Sequence, residues 1–178
     1  MAGDQHDQRV PALPPFLRSG IHPAAMRIVE FLKPEAVVAD LSAKTKADVL
    51  KELAAALGRA DRAVPELRFL HVLQEREKIG STGMEKGVAI PHGRLAEISN
   101  LVACFGVSHE GVEFEARDNQ RSHFFFALVA PDNSPGLHLK ALSKLSRLFR
   151  SDALKDSILS ATTAEAIFAL ISAEDARV

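Results

Sequence analysis

Apolar residues recur at helical spacing in two stretches of the first half of the chain. The first stretch predicts a helix that Thr45 caps, with Asp48 three residues on, and that Gly58 ends. Its apolar face comprises Val49, Leu50, Leu53 and Leu57. A second helix is expected to start near Pro65 and to run out around Arg76, with Leu67, Leu70 and Leu73 facing inward.

Apolar runs of strand length follow in the second half. They are Val88 to Ile90, Leu101 to Val107 and His123 to Ala130. The last run is apolar on both faces, which is typical of a strand in the centre of a sheet. Val112 and Phe114 are expected to form a short edge strand.

Capping signals predict three helices after these strands. Asn133-Ser134-Pro135 opens a helix through Arg150, because proline suits the first helical position. Shorter helices are expected over Ser151 to Leu159 and Thr162 to Ile171, the latter with a Thr162/Glu165 capping box. Helices on either side of a strand cluster predict an α/β sandwich with helices covering both sheet faces.

The first 24 residues differ in composition from the rest. They are polar, carry three closely spaced prolines (Pro11, Pro14 and Pro15) and show no helical or strand period. We therefore expect residues 1 to 24 to be a loosely ordered extension and residues 25 to 178 to be one domain.

Charge and cysteine content exclude several classes of protein. The formal net charge is −1, so there is no basic excess to bind nucleic acid or a membrane surface. No run of about 18 apolar residues and no signal peptide occurs, which indicates no membrane insertion and a soluble cytoplasmic protein. Cys104 is the only cysteine, lies in an apolar run and is interpreted as a buried structural thiol.

His92 is the main candidate for chemistry. It stands between Pro91, which restricts Ile90, and Gly93, which lets the chain turn sharply and leaves the imidazole uncovered. An ordinary corner between a strand and a loop would have the same local sequence.

His138 and Arg76 are the next candidates. His138 falls near the first turn of its helix, where the N-terminal N–H groups attract an anion and keep a nearby imidazole neutral. Arg76 ends a helix just before the glycine-rich segment, and its guanidinium suits phosphate oxygens. A core histidine bonded to a carbonyl and a solvated helix end are the alternatives.

The segment from Gly80 to Gly87 could present hydroxyls and N–H groups to a phosphoryl group. Together with Gly93, the candidates are Ser81, Thr82 and Gly83. The spacing is not that of a nucleotide-binding loop, and no pair of histidines or carboxylates has metal-ligand spacing. No cofactor and no metal are therefore expected, and a metal-dependent hydrolase would have to contain zinc.

Three segments together resemble a known family. They are Arg76 to Arg94, the Asp118-Asn119-Gln120 turn and Leu137 to Leu142, and they resemble the fructose/mannitol-type enzyme IIA domain of the bacterial phosphotransferase system. The resemblance implies a mixed sheet, phosphorylation of His92 by an HPr-like phosphocarrier protein, charge neutralisation by Arg76 and donation to the phosphoryl group by His138. Phe31 to Val38 and Lys46 to Leu50 are more similar to the nitrogen-regulatory branch, which regulates partner proteins.

Glu85 departs from the family pattern, since members commonly have glycine there. Its charge could weaken phosphorylation if it lies beside the phosphoryl site. Glu85 therefore leaves open an interaction module of the same fold that is not phosphorylated. A sugar-specific phosphoryl donor to a IIB component is the other alternative within the family.

Overall fold

A mixed five-stranded sheet with five α-helices makes up the part of the chain that the computed structural model describes, residues 26–177. The strands are β1 (Leu32–Val38), β2 (Val88–Ala89), β3 (His92–Leu95), β4 (Val102–Val112) and β5 (Ser122–Pro131). The helices are α1 (Lys46–Ala60), α2 (Glu66–Ile79), α3 (Pro135–Leu148), α4 (Asp152–Ser160) and α5 (Ala164–Asp175), and a short 3-10 helix spans Ile28–Glu30. The expected extension, residues 1 to 24, lies outside the described residues.

The strand order is β1-β4-β5-β2, and β3 continues beside β5 beyond β2. β1 runs parallel to β4, β4 antiparallel to β5, and β2 and β3 parallel to β5. The mixed sheet is therefore confirmed, as is the central place of β5. The register pairs Val88 with Phe124 and His92 with Leu128.

Helices cover both faces of this sheet. Successive side chains of a strand point to opposite faces. On β4, Cys104 is fully buried and its Sγ donates to the carbonyl oxygen of Leu53 on α1, at 3.3 Å. The next residue, Phe105, stacks instead on Phe149 at the end of α3, with ring centroids 5.4 Å apart. The α/β sandwich is confirmed, and burial raises the pKa of the Cys104 thiol, as suits a structural cysteine.

The sheet departs from the sequence prediction at three places. β1 and β3 were not predicted at all. The predicted edge strand of Val112 and Phe114 is wrong: Val112 ends β4, paired with Ser122 across an irregular stretch of the ladder. Phe114 follows in a loop and packs its ring on Phe125, with the centroids 5.3 Å apart. Burial of that ring, rather than strand pairing, explains why Phe114 is apolar.

The helix starts agree better with prediction than the helix ends. Thr45 caps α1 by accepting a 3.2 Å hydrogen bond from the Asp48 amide. The predicted stop at Gly58 is wrong, because α1 continues to Ala60; a Cβ at Gly58 would lie 3.0 Å from the Glu66 Cβ, so glycine lets α1 and α2 approach. Thr163, not Thr162, caps α5. α3 ends at Leu148, before Arg150.

Among residues 26–177, no helix is both long and apolar enough to cross a bilayer.

Candidate functional site

His92 is the first residue of β3, and a backbone carbonyl two residues earlier in the chain holds its ring. Its Nδ1 lies 2.7 Å from the carbonyl oxygen of Ile90. A carbonyl oxygen only accepts, so Nδ1 must carry the proton and donate it. The lone pair of the neutral ring is therefore on Nε2, which is the nitrogen available to a reactant.

His138 meets His92 because of the way that β3, β5 and α3 connect. β3 runs parallel to β5, with His92 opposite Leu128 near the carboxyl end of β5, and α3 begins four residues after that strand ends. The first turn of α3 is thereby carried to the start of β3. The two imidazole rings lie edge to face, with centroids 5.4 Å apart and an angle of 66° between their planes.

The proton of His138 is placed by Arg94. The Arg94 Nε donates a long hydrogen bond of 3.4 Å to Nδ1 of His138, so the neutral ring carries its proton on Nε2. That Nε2 is buried and has no hydrogen-bond partner in the described part of the chain. An unsatisfied buried N–H is costly, and one beside a candidate nucleophile is a donor ready for an incoming oxygen.

Burial keeps both imidazoles neutral near pH 7. It is the main cause that lowers the pKa of His92, aided by the charge of Arg76 and opposed by the Ile90 hydrogen bond and by Glu77. Burial also lowers the pKa of His138 to about 4, with further contributions from His92, Arg94 and Arg76. One ring can thus act as a nucleophile while the other donates a hydrogen bond.

Arg76 lies in the last turn of α2, as the sequence predicted. Its Nη1 donates a 2.9 Å hydrogen bond to the carbonyl oxygen of Gly80, which holds the guanidinium at the start of the glycine-rich segment. Its charge acts on both His92 and His138. The three main candidates, His92, His138 and Arg76, therefore lie close enough for the charge of Arg76 to affect both histidines.

Sequence reasoning missed Arg94 and Glu77. Arg94 stands two residues after His92, so the period of a strand would have placed both on one face had β3 been recognised. Glu77 gave no local signal. Its nearly buried carboxylate accepts from the Thr82 amide at 2.9 Å and from the Thr82 hydroxyl, and pairs with Lys46 at 2.8 Å. It ties the end of α2 to the glycine-rich segment.

The other predicted phosphoryl ligands are engaged within the protein. Ser81 donates its hydroxyl to the carbonyl oxygen of Phe114 at 2.7 Å and accepts from the Gly83 amide at 3.0 Å. Thr82 donates its hydroxyl to Glu77. Phosphoryl binding by Ser81, Thr82, Gly83 and Gly93 stays a prediction. For the first three residues it would require these hydrogen bonds to be exchanged.

The conformational role expected of Gly93 is wrong. Gly93 lies inside β3 rather than at a sharp turn. A Cβ there would lie 2.1 Å from Cγ1 of Val72, so the absence of a side chain lets α2 pack against β3. Gly93 thereby brings the helix that carries Arg76 close to the strand that carries His92.

Glu85 does not lie at the histidine pair. Val88, three residues after Glu85, pairs with Phe124 on β5. His92 pairs with Leu128, which lies four positions further along β5. At about 3.3 Å per residue, those positions span about 13 Å. The departure from the family pattern is therefore displaced from the candidate site. Within residues 26–177, no group of three or more metal-ligating side chains occurs.

Comparison with known proteins assigns the family. The model described as "Phosphoenolpyruvate-dependent sugar phosphotransferase system, EIIA 2" matches residues 30–174. A nitrogen regulatory protein of Bradyrhizobium diazoefficiens is 34% identical over 151 residues, which are 83% of this chain and 95% of that protein. The PTS system fructose-specific EIIABC component of Bacillus subtilis is 31% identical over 150 residues, 84% of this chain, and this chain spans only 24% of that relative.

Solved structures agree with this assignment. Nitrogen regulatory protein IIA-Ntr from Neisseria meningitidis superposes with a TM-score of 0.75 at 33% identity, covering 81% of this chain and 98% of that chain. IIA mannitol from Escherichia coli shares the fold, with a TM-score of 0.67 at 18% identity and coverage of 78% and 97%. The chain belongs to the EIIA type 2 family of the phosphoenolpyruvate-dependent sugar phosphotransferase system.

Proposed function

We propose that this chain is a phosphohistidine carrier that accepts a phosphoryl group on Nε2 of His92 from a phosphorylated HPr-like protein. The observation that carries the proposal is the pair of neutral imidazoles 5.4 Å apart, one with a free lone pair and the other with an unpartnered N–H. Membership of the phosphotransferase family supplies the chemistry that such a pair suits.

The transfer is a displacement at phosphorus. The Nε2 lone pair of His92 forms the new P–N bond, and the donor imidazole leaves with the electron pair of the old one. His92 keeps its Nδ1 proton throughout, so its ring becomes cationic as the bond forms. The Ile90 carbonyl, at 2.7 Å, stabilises that charge by accepting the Nδ1–H hydrogen bond.

The phosphoryl oxygens need donors that do not have to reorganise. His138 supplies its Nε2–H, which has no other partner in the described chain, and Arg76 supplies positive charge. Removing one such donor typically slows a transfer by about 100- to 1,000-fold. We expect losses of that order for His138→Ala and Arg76→Ala.

Two exposed apolar side chains follow site residues in the sequence and are candidates for contact with the donor. Leu139 follows His138 and is 69% exposed, and Ile79 lies three residues after Arg76 and is 84% exposed. An exposed apolar side chain next to a site residue adds apolar area that a docking protein can bury. We infer that they contact the cytoplasmic phosphocarrier protein and, in turn, the acceptor or regulated protein.

The output that we propose is regulatory. Support comes from the Bradyrhizobium relative named a nitrogen regulatory protein, of which this chain covers 95%. A dianionic phosphoryl group on His92 would change the charge of the surface that a partner contacts. The fructose-specific relative supports a second candidate, phosphoryl transfer to a IIB component.

Mass spectrometry of the intact protein tests the phosphoryl-acceptor role. After incubation with a phosphorylated HPr-like protein, the wild type should gain one acid-labile phosphoryl group and His92→Ala none. His109→Ala, at an exposed histidine on β4, is the matched control and should be labelled fully. A wild type that gains no phosphoryl group would leave only the interaction module, and labelling of His92→Ala would move the acceptor elsewhere.

A second reaction distinguishes regulation of a partner protein from phosphoryl transfer to a IIB component. The labelled protein is mixed with a IIB domain and, independently, tested for partner binding in both phosphorylation states. Rapid loss of the label to the IIB cysteine would favour the sugar-specific donor. A stable label with phosphorylation-dependent partner binding is the result expected here.

A further inference from the structure

A cavity of about 370 Å³ opens at the C-terminal end of α3, away from the histidine pair. Its apolar floor consists of Met84, Val88 and Phe149. Phe149 is 3% exposed and its ring packs against those of Phe105 and Phe124, so this wall is part of the core. The Ser146 hydroxyl lies 4.0 Å from the Met84 sulfur, and both residues line the cavity.

The rim of the cavity carries an excess of positive charge. Lys86, Arg117 and Arg150 line it together with a single acid, Glu85. Lys86 lies 3.9 Å from a carboxylate oxygen of Asp152. Arg117 and Arg150 form no ion pair with any residue in the described part of the chain. Two guanidinium groups that are not paired with a carboxylate, beside an apolar surface, suit an anion that has an apolar body.

The backbone around the rim is tied down. Lys86 adopts a left-handed conformation, with φ 59°, that non-glycine residues rarely take. Its amide donates to the Asp118 carboxylate at 2.8 Å, and its carbonyl accepts from the Lys155 ammonium at 3.4 Å. These contacts join the segment with Glu85 and Lys86 to the one with Arg117. A strained residue held by several contacts is typical of a binding site.

The cavity is distinct from the candidate phosphoryl site. His138 lies in the first turn of α3 and Phe149 just after its last residue, eleven positions later. At 1.5 Å per residue, that separation is about 16 Å along the helix. Neither His92 nor His138 lines the cavity.

We propose that this cavity binds a small organic anion. Its carboxylate or phosphate group lies between Arg117 and Arg150, and its apolar portion packs on Met84 and Phe149. The volume is within the range of about 300 to 1,000 Å³ typical of small-molecule sites. Glu85, whose side chain faces the same cavity, then selects against ligands with a second negative charge at its end of the site.

Titration of the full-length, isotope-labelled protein with phenyl phosphate tests the proposal by NMR. The amide signals of Lys86, Arg117 and Phe149 should shift saturably. Arg117→Gln and Arg150→Gln should each weaken that binding about tenfold, as expected for one charge-assisted hydrogen bond. Arg147→Gln is the matched control, since Arg147 is an exposed arginine in the last turn of α3, three residues before Arg150, and does not line the cavity.

Two further ligands separate the contributions of charge and apolar surface. Inorganic phosphate lacks the apolar body and benzamide lacks the charge, so both should bind at least tenfold more weakly than phenyl phosphate. Shifts confined to residues around His92 would overturn the proposal, as would equal losses for Arg147→Gln and Arg150→Gln. No phosphoryl transfer is measured, so this result is independent of the proposed function.

Discussion

The Nδ1 of His92 donates to the carbonyl oxygen of Ile90 at 2.7 Å, which makes Nε2 the reactive nitrogen. The Ile90 amide in turn donates to the Thr82 carbonyl at 3.1 Å. The Thr82 amide donates to Glu77 at 2.9 Å. Three hydrogen bonds thus connect the end of α2 to the imidazole, and Glu77 anchors the series.

Replacing Glu77 should change the pKa of His92, although Glu77 forms its hydrogen bonds with Thr82 and not with His92. Glu77 raises the pKa of His92 by its charge, so Glu77→Gln should lower the pKa of that imidazole further while preserving an acceptor for the Thr82 amide. Glu77→Ala removes the acceptor too and should slow phosphorylation about tenfold. An NMR titration of the His92 ring and a single-turnover assay measure these effects.

The matched control for Glu77 is Glu75→Gln. Glu75 is an exposed acid on the same helix whose partner is Lys78. It should leave the His92 titration unchanged. If Glu75→Gln and Glu77→Gln moved the midpoint equally, general surface charge rather than the nearby charge of Glu77 would be responsible.

Arg94 should orient His138 rather than hold the fold together. Without its Nε at 3.4 Å from Nδ1, the His138 proton is no longer directed to Nε2, and the pKa of His138 should rise because a nearby cation is lost. Arg94→Gln should slow phosphorylation about tenfold. Arg59→Gln, at an exposed position on α1, should not. Nitrogen chemical shifts of the ring report the tautomer, and an unchanged Nε2–H population in Arg94→Gln would contradict this role.

Acid should destabilise the protein through His138. The unfolded imidazole has a pKa of about 6.5, whereas burial and nearby cations lower the folded value to about 4. The stabilisation is therefore fully present above about pH 6.5 and is lost as the pH falls towards 4, by up to about 3 kcal/mol. The shift of His92 acts in the same direction.

Urea unfolding of the wild type at pH 7 and pH 4.5 measures this loss. His138→Gln should show a smaller difference between the two pH values, because glutamine does not titrate. His109→Gln, an exposed histidine, should behave like the wild type. Equal pH dependence in His138→Gln and the wild type would assign the acid sensitivity to other groups.

Gly93 should be required for the packing of α2 against β3. The Cβ of Gly93→Ala would lie 2.1 Å from Cγ1 of Val72, so the free energy of unfolding should fall by about 1 to 3 kcal/mol. Combining it with Val72→Ala removes the clashing methyl and should recover part of the loss. Gly136→Ala, with nothing within 4 Å of its Cβ, is the control and should be neutral or stabilising. A Gly93→Ala protein as stable as the wild type would exclude this role.

Most elements that the sequence predicted depend on contacts within a few residues. Thr45 caps α1 through an amide three positions later, and the apolar run of β5 required a buried central strand wherever its partners lay. Adjacent threonines explain the wrong cap of α5, because both Thr162 and Thr163 offer the same hydroxyl. β3 was missed because His-Gly-Arg-Leu has no strand composition; pairing with β5 makes it a strand.

The sequence by itself determined the buried apolar face of α1 and the buried strand β5, and it placed His92, Arg76 and His138 in one family pattern. Only the tertiary structure decided which nitrogen of His92 is free, and that Arg94 directs His138 while Glu77 holds the Thr82 segment. Caps and apolar periods arise from interactions along one element. The site instead depends on α3 and β3 meeting against β5, which brings together two rings 46 positions apart in the chain.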